Sequence, residues 1–336
     1  MTARITRLLV VLALAGLGAA CAPASSSTLG VPGTAPVLDG AHNDTSSPFN
    51  LVSVPALTAH RYDGRGLRIT RTLAEGLAFT RYAVAYRSGR LTVTGVMNVP
   101  NRAGRHPVVV IAHGYGDPAR YTSGSMLERE QAALAEHGFV AFHIDYRNYA
   151  RSARESPDPV ARTIGYPADL VNAVAALKRA GLPFADTSRI GLFGRSMGGG
   201  VVLNALVARP RLAQAAVLHA PVSSLAADNY RRWVLPDAAL QQRVESAYGT
   251  PTSDPRFWKQ AGARAYLDRI AVPIQIDHGT ADRVCPVRWS RATARALRAE
   301  GKDVTLYEYP GEGHRFQRSW NRFMHRAVTF LRAELG

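Results

Sequence analysis

The sequence predicts an α/β fold: one mostly parallel, eight-stranded sheet flanked by helices, with a small insertion near its C-terminal half. Three observations carry this. First, short apolar runs at 107–112, 139–144, 190–193, 215–219 and 272–276 lack the alternation of a half-exposed strand, so they read as strands buried on both faces. Second, stretches with helical spacing of apolar residues separate these runs, the pattern of a parallel sheet covered on both sides. Third, the run Ile190, Leu192, Phe193 passes through Gly194-Arg195-Ser196-Met197-Gly198 straight into a helical segment from 201 to 207. This is the strand–turn–helix setting in which a serine is presented at a tight turn.

In chain order, the first 20 residues read as an export signal. Arg4 and Arg7 are a positive start, 8–17 an apolar stretch too short to span a bilayer, and Gly18-Ala19-Ala20 a small-residue site before Cys21. That end resembles a bacterial lipoprotein box with Cys21 as the lipidated residue. Its aliphatic position is displaced to Leu17, which leaves ordinary signal-peptidase cleavage as the alternative. Residues 21–50 are rich in Ser, Thr, Pro, Gly and Asn and read as a flexible tether. The remainder, 51–336, is the domain.

Within it, 51–77 has no clear period and is expected to be a lead-in packed on the domain. The segments 79–86 and 91–99 alternate and join at Ser88-Gly89, a hairpin. Helices follow at 126–137, stopped by Gly138, and at 166–180, stopped by Gly181. Beyond the 215–219 strand, the insertion 222–270 carries Tyr230, Trp233, Tyr248, Phe257 and Trp258, either as internal packing or as a cap over the serine. A helix at 289–299, a strand at 304–309 and a helix at 317–335 with one apolar face complete the chain.

The formal net charge of +16 comes almost entirely from arginine, since Lys178, Lys259 and Lys302 are the only lysines. The arginines are scattered through every element, with no basic stripe or recognised motif, so nucleic acid is not an expected partner. With only 2 cysteines, a lipidated Cys21 leaves Cys285 unpaired, expected as a small buried side chain. No metal-ligand spacing, phosphate loop or cofactor motif is present.

The chemistry centres on Ser196. Gly194 and Gly198 suit a turn where side chains would collide. In this architecture the acid and the histidine follow the serine in the chain. His314, in the loop Pro310-Gly311-Glu312-Gly313-His314 after the last strand, is the candidate base. His325 falls on the final helix and is expected at the surface, and Glu312 is expected in solvent. Asp282, in the loop beyond the 272–277 strand, is the candidate acid. Asp277 is the second choice, and an acidic residue at that strand position has no evident reason. The oxyanion is expected to bind the N–H groups of Met197 and Tyr115, the latter in His113-Gly114-Tyr115-Gly116. Tyr115 also brings either its hydroxyl or an aromatic wall to the site.

These pieces resemble the α/β-hydrolase superfamily, and most of all the catalytic domain of the prolyl oligopeptidase family and the dienelactone-hydrolase-like esterases. The resemblance rests on 194–199, on His278-Gly279-Thr280-Ala281-Asp282 and on 309–316, with 254–273 similar as well. It implies that Ser196, Asp282 and His314 are nucleophile, acid and base. The stretch between Cys21 and the domain is too short for the β-propeller of prolyl oligopeptidases, and Ser196 stands where dienelactone hydrolases have cysteine. The expectation is an extracytoplasmic, membrane-anchored serine hydrolase without cofactor. It would cleave carboxylic esters, with short-peptide hydrolysis as the alternative.

Overall fold

A computed structural model describes residues 52–155 and 159–336, with the backbone alone for 159–164. The export signal, Cys21 and the tether lie outside the described residues. The strands are β1 (Arg65–Glu75), β2 (Phe79–Ser88), β3 (Leu91–Pro100), β4 (His106–Ala112), β5 (Val140–Ile144), β6 (Ala185–Arg195), β7 (Ala215–His219), β8 (Ile274–Gly279) and β9 (Val304–Tyr309). They form one sheet in the order β1-β2-β3-β5-β4-β6-β7-β8-β9. The run from β5 through β9 is parallel throughout, and β1, β2 and β3 add an antiparallel edge.

The described sheet therefore has nine strands rather than the expected eight. The addition is β1, part of the segment read as a lead-in. Of its 11 residues only Leu67 is buried; Ile69 and Leu73 share its alternation but stay 38% exposed, and Arg71 interrupts the period. Arg65, Arg68 and Arg71 populate this open edge, where charge discourages further strand pairing.

The helices in chain order are α1 (Val54–Ala59), α2 (Glu128–Glu136), α3 (Pro159–Arg179) and α4 (Met197–Ala208), then α5 (Ala226–Asn229), α6 (Ala238–Tyr248) and α7 (Pro255–Gln260), and finally α8 (Val287–Ala299) and α9 (Trp320–Leu335). One core joins the sheet to α3, α4 and α8 through residues such as Leu170, Val174, Leu203 and Leu297. The opposite core joins Val109, Phe193 and Val217 to Leu134 of α2 and to Phe323 and Leu331 of α9. Each fully buried Leu or Phe contributes about 1.5–3 kcal/mol of transfer free energy, which holds both helical layers on the sheet.

The insertion folds as α5, a π-helical turn Tyr230–Val234, α6, α7 and a 3-10 segment Ala263–Arg269. Most of its aromatic residues serve as internal packing. Tyr230, Tyr248, Phe257 and Trp258 are buried with Val52 and Leu57 of the lead-in in a small core of their own. Trp233 and Leu235 stay 37% and 42% exposed. Trp233 meets Trp289 edge-on at 5.5 Å. The guanidinium of Arg232 donates to the carbonyls of Arg283 and Val284, which docks the insertion on the loop that carries Asp282.

Candidate active site

The turn at Ser196 is made by steric necessity. A Cβ on Gly194 would lie 2.4 Å from the Gly198 carbonyl oxygen, and one on Gly198 would lie 2.0 Å from that of Ala112. Only glycine permits the crossing of β6 into α4 beneath β4. Ser196 itself has φ +58° and ψ −121°, a conformation that costs a residue with a side chain about 1–3 kcal/mol. The surroundings hold it there. Its N–H donates to the His219 carbonyl at 3.0 Å, and its own carbonyl accepts from Gly199 at 2.9 Å and Val222 at 3.1 Å.

The loops after β8 and β9 are joined backbone to backbone. Thr280 N–H donates to Tyr309 and Ala281 N–H to Glu312, at 3.0 and 2.9 Å. This brings Asp282 to His314, whose Nδ1 lies 2.7 Å from Oδ2 of Asp282. The other oxygen of Asp282 accepts the N–H groups of Val284 and Cys285 at 2.8 and 3.0 Å. Burial alone would raise the Asp282 carboxyl, but hydrogen bonds from His278, His314 and the Cys285 N–H outweigh it and hold the group well below the usual carboxylate range. Asp282 is thus an anion fixed against an imidazole.

Two histidines approach that anion. His278, whose side chain is fully buried, has Nε2 at 3.2 Å from Oδ2 of Asp282. Its ring is already committed, with Nε2 2.8 Å from the Cys285 carbonyl and Nδ1 2.6 Å from Ser290 Oγ. His314 is partly exposed, and its Nε2 has no partner among the described residues. His278 therefore anchors the acid loop, and His314 retains a nitrogen for a reacting group. The place of His278 one turn before Asp282, at a strand end, was the sequence signal for it.

The Ser196 hydroxyl makes no hydrogen bond to His314 in this structure. Its side-chain neighbour is the thiol of Cys285, with Oγ and Sγ 3.9 Å apart. Cys285 is fully buried, as expected of a small packed side chain. Burial first, and then the nearby Asp282 charge, pushes its thiol up to about 12, so it stays protonated.

On the other side of Ser196, the 113–116 segment lies close enough that a Cβ on Gly114 would sit 3.1 Å from the Ser196 Cβ. The segment is held rigidly: Tyr146 donates to the His113 carbonyl at 3.2 Å and Tyr149 to that of Gly116 at 3.1 Å. The N–H of Met197, first residue of α4, has no helical acceptor. That of Tyr115 donates to nothing among the described residues, and the Tyr115 side chain is 68% exposed.

One expectation changes: Glu312 is buried rather than solvated, and it accepts the N–H groups of Gln317 and Ser319 at 2.9 and 2.6 Å, which fixes the path from the His314 loop into α9. Asp277, the second choice for the acid, makes no hydrogen bond to His314. It accepts hydrogen bonds from Tyr309 Oη and Gln275 Nε2, both at 2.7 Å, in the sheet interior. His325 is exposed on α9 as expected. No group of three metal-ligating side chains occurs among the described residues.

Comparison with known proteins bears on the fold and the family. The rice (Oryza sativa subsp. japonica) acylamino-acid-releasing enzyme 2 is 23% identical over 234 residues, which cover 67% of this chain and 30% of that protein. The chain thus spans about a third of the length of the curated relatives it matches. Among solved structures, the acetyl xylan esterase of Paenibacillus sp. R4 superposes with a TM-score of 0.64 at 19% identity, covering 87% of this chain and 96% of that one. The Pyrococcus horikoshii acylaminoacyl peptidase superposes at 0.61 with 17% identity, covering 79% and 44%. These structures share the α/β-hydrolase fold. The sequence pattern of the prolyl oligopeptidase family matches residues 125–336, a region that takes in Ser196, Asp282 and His314, and the chain belongs to that family.

Proposed function

We propose that the protein is an exported serine hydrolase that cleaves carboxylic esters through an acyl-enzyme. The observation that carries the reading is the 2.7 Å Asp282–His314 contact, with the opposite imidazole nitrogen free, beside a serine held on a strained turn. In this mechanism Nε2 of His314 takes the Ser196 proton as Oγ attacks the ester carbonyl carbon. Asp282 keeps the proton of His314 on Nδ1 and stabilises the imidazolium. The oxyanion is held by the N–H groups of Met197 and Tyr115. The departing alkoxide takes the proton from His314, and water repeats the sequence on the acyl-enzyme. Rotation of the Ser196 side chain from Cys285 towards His314 on substrate binding completes the hydrogen bond, as is common when a free site closes on its ligand.

Esters are favoured over peptides because the acetyl xylan esterase neighbour matches over 96% of its length, whereas the acylaminoacyl peptidase matches over 44%. The peptidase reading draws on the family and on the name of the rice relative. Export through residues 1–20, and anchorage by lipid on Cys21, complete the proposal.

The test is labelling with a fluorophosphonate probe followed by peptide mapping, on wild type and His314→Ala. The expected result is modification at Ser196 that is lost in the variant. No labelling of folded protein would overturn the hydrolase reading. Turnover of peptide p-nitroanilides as fast as p-nitrophenyl esters would replace esterase by peptidase. Incorporation of labelled palmitate that disappears in Cys21→Ala tests the anchor.

A further inference from the structure

A cavity of about 430 Å³ lies between the start of α2, the start of α9 and the ends of β6 and β7. Arg195, His219, Arg315, Glu128, Glu130 and Trp320 are among its walls. Arg195 and His219 are paired across β6 and β7, so their side chains leave the sheet on the same face.

Neither side chain has a hydrogen-bond partner among the described residues. Arg195 is only 5% exposed, yet its guanidinium makes no hydrogen bond or ion pair with any described residue, and its Nε is fully enclosed. His219 is 1% exposed and neither ring nitrogen has a partner. Burial first, and then the charges of Arg195 and neighbouring histidines, hold His219 well below its usual range, so its ring is neutral and carries one N–H. Polar groups this deep are almost always satisfied, and an unpaired buried guanidinium is among the costliest exceptions. The charges of Glu130 and Glu128 act on it through space, but neither carboxylate hydrogen-bonds it. Glu130 accepts from Trp320 Nε1 at 2.9 Å. Neither Glu128 nor Glu130 comes within ion-pair distance of Arg195. Arg129 is stacked on the Trp320 ring at 4.0 Å.

The cavity thus offers an unused planar fork of donors, a neutral imidazole behind it and Arg315 exposed at its rim. That set matches a carboxylate. We propose that this cavity is a subsite for a carboxylate carried by the substrate, bound by the Arg195 fork and admitted past Arg315. Arg195 directly precedes Ser196 and Arg315 directly follows His314, so two walls of the cavity are chain neighbours of the reacting residues. The volume suits a small acid such as a benzoate or glutarate moiety. The inference rests on the hydrolase reading for the identity of the occupant, but the binding site can be tested without turnover.

In calorimetric titration of full-length Ser196→Ala, benzoate is expected to bind at one site, at least about tenfold more tightly than neutral benzamide. Adding Arg195→Gln is expected to weaken benzoate by a further factor of about ten or more, and Arg195→Lys to restore part of the loss. Arg315→Gln, at an exposed position, keeps the test available if Arg195→Gln does not fold, and should weaken benzoate a few-fold. Equal binding of benzoate and benzamide, no binding, or affinities indifferent to both arginines would overturn the site. With the active chain, the kcat/KM ratio of 4-acetoxybenzoate or p-nitrophenyl hemiglutarate over phenyl acetate should fall about tenfold in Arg195→Gln. If sulfate binds as well as benzoate and that ratio does not move, the cavity holds a free inorganic anion and the substrate subsite is refuted. Failure of every ester to turn over, with benzoate still bound, would refute the esterase reading alone.

Discussion

Replacing Asp277 with asparagine should change how stability depends on pH, and the size of the change follows from its surroundings. The carboxyl is fully buried, and burial raises it from 3.8 to about 7, against the opposing hydrogen bonds from Gln275 and Tyr309. In the unfolded chain it titrates near its ordinary value. Below about pH 4 the proton is held in both states and the residue carries no penalty. Between about 4 and 7 the folded state holds more proton than the unfolded state, so stability falls as pH rises. A displacement of about three units corresponds to roughly 4 kcal/mol, complete above pH 7. Asparagine has nearly the same shape and no charge. It can still accept from Tyr309, and a flip of the Gln275 amide satisfies the other contact. The measurement is urea unfolding of wild type and Asp277→Asn at intervals from pH 4 to 8. The two should be alike near pH 4 and diverge by up to about 4 kcal/mol in favour of the variant by pH 8. Parallel curves across that range would show that Asp277 is ionised at no cost, and the account of its burial would be wrong.

Four further outcomes are expected. Asp282→Asn should keep the loop hydrogen bonds to Val284 and Cys285 but lose the anchored imidazole tautomer, lowering kcat by about 10³–10⁴ on an ester substrate. Gly198→Ala drives a Cβ to 2.0 Å from a backbone oxygen, and thermal unfolding should register a loss of about 3 kcal/mol or more. Gly313→Ala, which meets nothing within 4 Å in the His314 loop, should be tolerated in the same assay. The Cys285 thiol, raised to about 12, should resist iodoacetamide at pH 8 in the folded protein and react fully in denaturant, as read by mass spectrometry.

The sequence announced those parts of the fold whose cause is local. Buried parallel strands carry unbroken apolar runs, and the glycines around Ser196 mark a turn where a side chain has no room. Asp282 and His314 were legible because strand ends and chain order confine where an acid and a base can lie. The misses have a common cause in contacts between distant segments. β1 buries only Leu67, and Arg71 breaks its apolar alternation, so the sequence marks it weakly. Asp277 made no sense alone and is explained by Tyr309, 32 residues away. Glu312 passes for a solvated charge until the start of α9 is folded over it. Arg195 was visible only as the variable letter of a motif, and its isolation becomes evident once α2 and α9 enclose it.

The contact of Arg232 with the carbonyls of Arg283 and Val284 bears on how such a protein can be re-engineered. Insertions of this kind invite exchange between relatives as self-contained modules. Here the module carries one of the fasteners for the loop that holds Asp282. A graft replacing 222–270 without an arginine at that position would alter the acid while aiming at the substrate. A chimera designed for new selectivity should therefore keep Arg232, or carry over the 282–285 loop with its native partner.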